Sequence, residues 1–172
     1  MPDALHAIPS GWDGKQTEPL EAAFCKYRSD PEFLASLVGL CKQEPCQRGA
    51  TWLLKHHFET KGPPPTVALT KLHFNTLPRI QPWEAKLHFL QYLEFLDIPA
   101  EAKSTLEAFV HDAISSENKL VRAWAYYGLA TIARQFPETR RSALEALTKA
   151  RSNEVAGSVK IRVRKALEKL SK

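Results

Sequence analysis

Leu120-Val121-Arg122-Ala123-Trp124-Ala125-Tyr126-Tyr127-Gly128-Leu129-Ala130 is the stretch that decides how this chain folds. Val121, Ala125, Gly128, Leu129 and, just beyond, Ile132 fall on one face at the 3.6-residue period of a helix. The run has almost no polar side, and such a helix must be covered on both flanks. It belongs inside a stack.

The same face recurs along the chain. Taking offsets 0, 4, 7, 8 and 11 gives Cys46, Ala50, Leu53, Leu54 and His57, then Ala85, Phe89, Tyr92, Leu93 and Leu96. After Val121 and its followers come Val159, Val163, Ala166, Leu167 and Leu170. Nineteen of the twenty positions are apolar, aromatic or Gly, and the starts lie 39, 36 and 38 residues apart. A partner helix with its own apolar face precedes each: Leu34, Leu37, Val38 and Cys41; Leu69 and Leu72; Leu106, Phe109 and Val110; Ala143, Leu144 and Leu147. The unit is a helical hairpin. One hairpin has too little interior to offset its chain entropy, so neighbours must stack on it.

Proline sets the starts. Asp30-Pro31, Glu44-Pro45, Gln81-Pro82, Ile98-Pro99 and Phe136-Pro137 each open an apolar-periodic run, as a first helical turn tolerates the missing N–H. The spacing predicts helices over 18–28, 31–43, 45–60, 66–77, 82–97, 100–115, 118–135, 138–150 and 155–171. Val159 to Arg164 alternates like a strand, but the stripe continues through Leu170 and favours a helix. The expected architecture is all-α. Residues 18–172 form one repeat domain with units near 30–62, 65–98, 99–135 and 137–171. The helix at 18–28, with Leu20, Ala23, Phe24 and Tyr27, caps the first hairpin, and residues 1–17 form an extension without an assigned role.

With 172 residues, 44% of them hydrophobic, the chain can build a core, and no apolar run approaches the roughly 20 residues of a membrane helix. The N-terminus lacks a basic start followed by an apolar stretch, and Cys25, Cys41 and Cys46 are sparse and odd in number. A cytoplasmic protein without a membrane partner is expected. The net charge of +5 is uneven: residues 134–172 carry eleven Lys and Arg against four Glu, whereas residues 1–133 carry thirteen against fifteen acids. Such asymmetry marks a surface for nucleic acid or an acidic partner, or a solvated face.

At Val121-Arg122-Ala123-Trp124-Ala125 and Val159-Lys160 the sequence resembles HEAT repeats, whose second helix opens with an aliphatic residue followed by Arg or Lys. The resemblance spans Asp30 to Leu170. It implies a right-handed α-α superhelix, a HEAT-like solenoid of about four hairpins plus the capping helix, with the second helices lining a concave face. It also implies a ladder in which that cation pairs with an acid in an inter-helix turn. Arg122 has Glu117 nearby, Lys160 has Glu154, Lys86 has no acid in the preceding turn, and Gln47 stands in the first unit's place. Most such arrays are binding scaffolds.

Catalytic and metal motifs are missing from the sequence. No His is followed by Glu, Cys41 and Cys46 lack a second pair to complete four ligands, and seven scattered glycines build no phosphate loop. No G-x-S-x-G or dedicated carboxylate pair occurs. The expectation is a non-enzyme with no cofactor, no metal and no small-molecule ligand.

Two sets of residues remain as binding candidates. Trp52, Trp124, Tyr126 and Tyr127 lie off the stripe and either pack between units or, with Arg122, contact a protein partner on the concave face. Lys86, Arg122 and Lys160, at one repeat offset, with Arg162, Arg164, Lys165 and Lys169 on the last helix, either form ladder and cap or contact phosphates of a nucleic acid. A protein-binding adaptor is the leading reading, and nucleic-acid binding the alternative.

Overall fold

The computed structural model describes residues 2–171, and their side chains from Leu5 onward. Every regular element among them is helical: α1 (Pro2–Gly11), α2 (Glu18–Tyr27), α3 (Phe33–Leu40), α4 (Glu44–Glu59), α5 (Val67–Phe74), α6 (Trp83–Tyr92), α7 (Lys103–Ile114), α8 (Lys119–Gln135), α9 (Arg140–Asn153) and α10 (Gly157–Ser171), with short 3-10 turns between some of them. No helix among them is long and apolar enough to cross a membrane. The chain divides into two compact units, one ending at Leu96 and the other starting at Asp97.

Each unit contains two consecutive hairpins whose second helices lie side by side. In the first, α3 packs on α4 and α4 on α6; in the second, α7 packs on α8, α9 on α10 and α8 on α10. The stripe is what they share. Nineteen of its twenty positions are buried, and Leu167 is half-buried. Ala50, Ala85, Val121, Ala125, Val159, Val163 and Ala166 are fully buried, with small side chains where the helix axes approach most closely. Local signals agree with the packing: Asn118 caps α8 by accepting from the N–H groups of Leu120 and Val121, and Thr66 caps α5 by accepting from Leu69.

Three features differ from the expected pattern. The helix expected over 66–77 ends at Phe74, and a separate 3-10 turn follows at Leu77–Arg79. Leu72, assigned to that helix's apolar face, is 51% exposed. The face that packs is Thr70, His73 and Phe74, because the rings of His73 and Phe74 meet Phe89 of α6 at 5.4 and 5.8 Å. The helix expected over 82–97 turns into a 3-10 segment at Leu93–Phe95, though Leu93 and Leu96 stay buried. Finally, part of the 1–17 extension is a helix, α1, which packs chiefly on α4 and contacts α2 and α3.

The first unit's core holds polar groups that must find partners inside it. Gln47, Thr51, His57, Thr70, His73, Thr76 and His88 are all buried there. His57, the one polar stripe residue, shares a hydrogen bond with the Pro63 carbonyl at 2.8 Å. His73 Nε2 and the Tyr92 hydroxyl are 2.7 Å apart, while His73 Nδ1 is buried with no partner. His88 Nδ1 lies 3.1 Å from Thr51 Oγ1. Burial holds His73 at a pKa of about 4, and burial together with the Lys55 charge holds His88 at about 3. Both rings are therefore neutral at pH 7.

In the unfolded chain these rings titrate near 6.5, so unfolding takes up protons below that pH. Stability is complete above pH 6.5 and falls through the window down to about 4 for His73 and about 3 for His88. At pH 5 each ring costs about 2 kcal/mol relative to pH 7.5. Urea unfolding of the first unit is expected to shift to lower denaturant by that combined amount, and His88→Gln, which keeps a polar partner for Thr51, is expected to remove about half of the shift.

Candidate functional site

The position after each stripe start, occupied by Gln47, Lys86, Arg122 and Lys160, has a structural job in both units. Arg122 donates through Nη1 to the carbonyls of Ser116 and Glu117, at 2.8 and 3.0 Å, in its own inter-helix turn. Through Nε it pairs with Glu154, 3.3 Å away, in the turn of the following hairpin. Gln47 makes the same two connections without charge. Its amide donates to the Cys41 carbonyl at 3.1 Å and to the Arg79 carbonyl at 2.7 Å, and its oxygen accepts from the Gln81 N–H. Each residue thus ties its own turn, six positions back, to the next turn, 32 positions ahead. Arg122's acid is Glu154 of the next turn, and only the carbonyl of the neighbouring Glu117 takes part.

Of the five residues expected to contact a protein partner, one is buried in the first unit and the four in the second fall on two sides of α8. Trp52 is buried at 9% exposure, its ring stacked on His56 at 5.0 Å and approached by Trp12 at 6.4 Å. Arg122 and Tyr126 lie on one side of α8, where they line a cleft of about 430 Å³ with Glu154, Ile114, Ala150 and Val155. The Tyr126 hydroxyl donates to Glu154 at 3.4 Å, and burial followed by the Glu154 charge pushes its pKa up. Trp124 and Tyr127 are elsewhere on α8. Their rings meet edge to face at 5.6 Å on the side next to α10.

Within the second unit the cations expected to contact phosphates fall on different faces. Lys86 is half-buried on α6 of the first unit. Residues two apart on a helix point about 200° from each other, so Lys160 and Arg164 face away from Arg162. Arg164 pairs there with Glu168 at 3.7 Å, with both side chains exposed. Arg162 places its guanidinium 3.6 Å from the centre of the Trp124 ring and 5.5 Å from that of Tyr127. Lys169 adds its ammonium 4.4 Å from the Tyr127 ring and 3.3 Å from Thr131 Oγ1. Lys165, exposed, falls between them on the same face by its i+3 spacing from Arg162.

Trp124, Tyr127, Arg162, Lys165 and Lys169 therefore make one half-open cationic and aromatic face on α8 and α10. They hold repeat offsets 3, 6 and 10, with Thr131 completing the set. The same offsets in the first unit hold Gly49, Trp52 and His56 on α4, His88 and Gln91 on α6, and Phe95 in the 3-10 segment that follows α6. What the sequence reading did not join is the two sets, the rings of Trp124 and Tyr127 and the cations Arg162, Lys165 and Lys169, which share these offsets. Cations over ring faces are worth from about 0.5 to 2 kcal/mol each, so Trp124, Tyr127, Arg162 and Lys169 hold one another in place.

Among the described residues no three His, Cys, Asp or Glu side chains converge as a metal site requires. The three cysteines are unbridged, with Cys41 and Cys46 buried. Burial, then the neighbouring Cys46, pushes the Cys41 thiol up to about 12, and burial raises Cys46 as well. Both are held as thiols.

The turn-to-turn clamp yields a stability prediction. Arg122→Ala removes a partly buried ion pair and two bonds to carbonyls and is expected to cost about 2 kcal/mol. Arg122→Gln, placing in the second unit the residue type that serves in the first, is expected to recover roughly half of that. Urea denaturation of the two variants checks the order. No model of a known family, no curated protein and no solved structure matches this chain.

Proposed function

We propose that this chain is a non-catalytic binding scaffold of HEAT-like build, acting in the cytoplasm, and that it takes an acidic segment of a protein partner on the α8–α10 face. In a right-handed HEAT-like superhelix the second helices line the concave side, where such a face would meet a partner. One observation carries this reading. Arg162 and Lys169 stand over Trp124 and Tyr127, combining rigid aromatic area with positive charge, the residue types that dominate binding energies at interfaces.

Charge supports the sign of the partner. Residues 97–172 hold fourteen Lys and Arg against nine Asp and Glu, whereas residues 1–96 hold ten of each. The net positive charge belongs to the second unit, so long-range steering there favours an anion. Trp52, Tyr126 and Arg122 leave the proposed contact set because they serve packing and the clamp. The buried thiols of Cys41 and Cys46 and the buried neutral rings of His73 and His88 support a structural rather than a chemical role for these groups.

A second reading, nucleic-acid binding, is favoured by the row Arg162, Lys165 and Lys169, whose i, i+3, i+7 spacing gives three cations on one helix face. It departs from the lead in what the cations meet: regularly spaced phosphates rather than carboxylates. Salt separates the two, as duplex binding loses about 0.9 in log affinity per neutralised phosphate for each tenfold rise in salt.

The double change Arg162→Glu, Lys169→Glu is expected to weaken affinity capture of the protein partner at least tenfold, while Arg164→Glu, on the far side of α10, leaves it unchanged. Unchanged capture by the double variant, with its helical circular dichroism retained, removes this face as the site. A labelled duplex or single strand that shifts with the protein at about 50 mM salt, with the steep salt slope of phosphate contacts, transfers the face to the second reading.

A further inference from the structure

In the first unit the face at repeat offsets 3 and 6 is already occupied by the chain itself. Leu5 and Pro9 of α1 are buried, and with Trp12 just past its end they fall at i, i+4 and i+7 on one side. Pro9 sits against Gly49 of α4 so closely that a Cβ on Gly49 would lie 2.6 Å from the Pro9 Cα. Only a glycine leaves that seat open. The Trp12 ring lies 6.4 Å from Trp52 on α4 and 6.3 Å from His88 on α6, in the trough between the two second helices. Its indole N–H is satisfied within the following turn by the Gln16 carbonyl at 2.6 Å, so it does not need a polar partner from α4 or α6.

Helix α1 does not sustain itself. It has ten residues with Pro9 inside it, and isolated helices shorter than about 12–15 residues are marginal even without a proline. An interior proline costs about 3 kcal/mol and removes a hydrogen bond to the preceding turn. The segment is helical because the groove holds it, which is how a peptide that folds on binding behaves.

We infer that the groove formed by Gly49, Trp52 and His88 is a binding site for a short helical segment, that α1 is its resident occupant, and that a protein partner carrying an apolar residue, a proline and a tryptophan at the Leu5, Pro9, Trp12 spacing displaces it. The resident itself defines the chemistry of the partner. The proline fits because it has no N–H to satisfy where the two backbones approach, and the tryptophan fits because the rings of Trp52 and His88 stand beside it. Held by the short connection of residues 12–17, α1 competes at an effective concentration of millimolar order. The site is shut until α1 is displaced. It is built from first-unit residues alone and does not rest on what binds the α8–α10 face.

The test uses the full chain and a fluorescein-labelled peptide of residues 2–16 as probe. In the variant Leu5→Asp, Trp12→Ala the resident is loosened, and the probe is expected to bind at least tenfold more tightly than it does to the unaltered chain. Adding Gly49→Leu to that variant, or replacing the probe's tryptophan by alanine, is expected to reduce binding at least tenfold. Gly49→Leu alone is expected to bring fast amide hydrogen exchange to residues 3–11 while α4 and α6 stay protected. A loosened chain that keeps its helical signal but does not bind the probe overturns the site. Loss of protection across α4 and α6 in Gly49→Leu, or unfolding of the loosened variant, overturns it too, because α1 would then belong to the unit's indispensable core.

Discussion

The close side-by-side packing of second helices, α4 with α6 and α8 with α10, is the constraint from which the other features of each unit follow. Helix axes approach to within about 8–10 Å only when the side chains between them interdigitate without voids. Ala50, Ala85, Ala125 and Ala166 permit that approach, and Leu53, Phe89, Leu129 and Val163 fill the space beside them. Once the stripe is sealed, the remaining faces of each second helix are fixed in direction. Offset 1 must point at the inter-helix turns, and offsets 3, 6 and 10 must point along the opposite side. The stripe thus creates both the clamp and the candidate binding face without contributing a residue to either.

The clamp shows why one position tolerates different residue types. Arg122 has only donors, and its turn-to-turn partners are all acceptors: two carbonyls and the Glu154 carboxylate. Gln47 has a donor and an acceptor, and its partners match, with the carbonyls of Cys41 and Arg79 on its nitrogen and the N–H of Gln81 on its oxygen. Complementarity is local to each turn, so exchanging Gln47 and Arg122 would leave an unmatched group at both places. A neutral clamp suits the fully buried Gln47, where an isolated charge would be expensive. The ion pair suits the half-buried position of Arg122 and Glu154, whose side chains keep 22% and 14% of their exposure.

Much of the fold was legible because its cause is periodic. Stripe residues from Cys46 to Leu170 repeat at helical spacing within each helix and at near-constant spacing between helices, and burial follows that pattern. Periodicity loses its grip on short elements. Over the eight residues of α5, Leu72 and His73 are adjacent, and the spacing does not settle which phase faces inward; the aromatic partner Phe89 does. Helix α1 was hidden for another reason. Pro9 reads as a helix breaker, and what offsets it is Gly49, forty positions away in the sequence. The cationic and aromatic face was only half legible. Trp124 and Tyr127 stand out for their rings and Arg162, Lys165 and Lys169 for their charge, but no spacing within either helix tells that Arg162 and Lys169 meet those rings across α8 and α10.

The two units complete the same face in different ways, and the difference starts at offset 3. Gly49 leaves a seat beside Trp52 that is too apolar to stand open to water, so a separate segment, α1, must fill it with Pro9 and Trp12. In the second unit the equivalent position is Trp124, which brings its own ring to the place where the first unit borrows one. That ring needs no covering helix, only a lid for its exposed face, and Arg162 supplies one from α10 at 3.6 Å. A guanidinium can cover an aromatic face and remain hydrated at its rim, which a Pro-bearing helix cannot. The Gly49 and Trp124 difference at offset 3 goes with a second difference on the neighbouring helix, where His88, Gln91 and Phe95 in the first unit stand against Arg162, Lys165 and Lys169 in the second, and together they change what the face presents, from the back of a docked helix to a row of cations. The contrast therefore needs both second helices of each unit, the residue at offset 3 of the first and the three residues at offsets 3, 6 and 10 of the second.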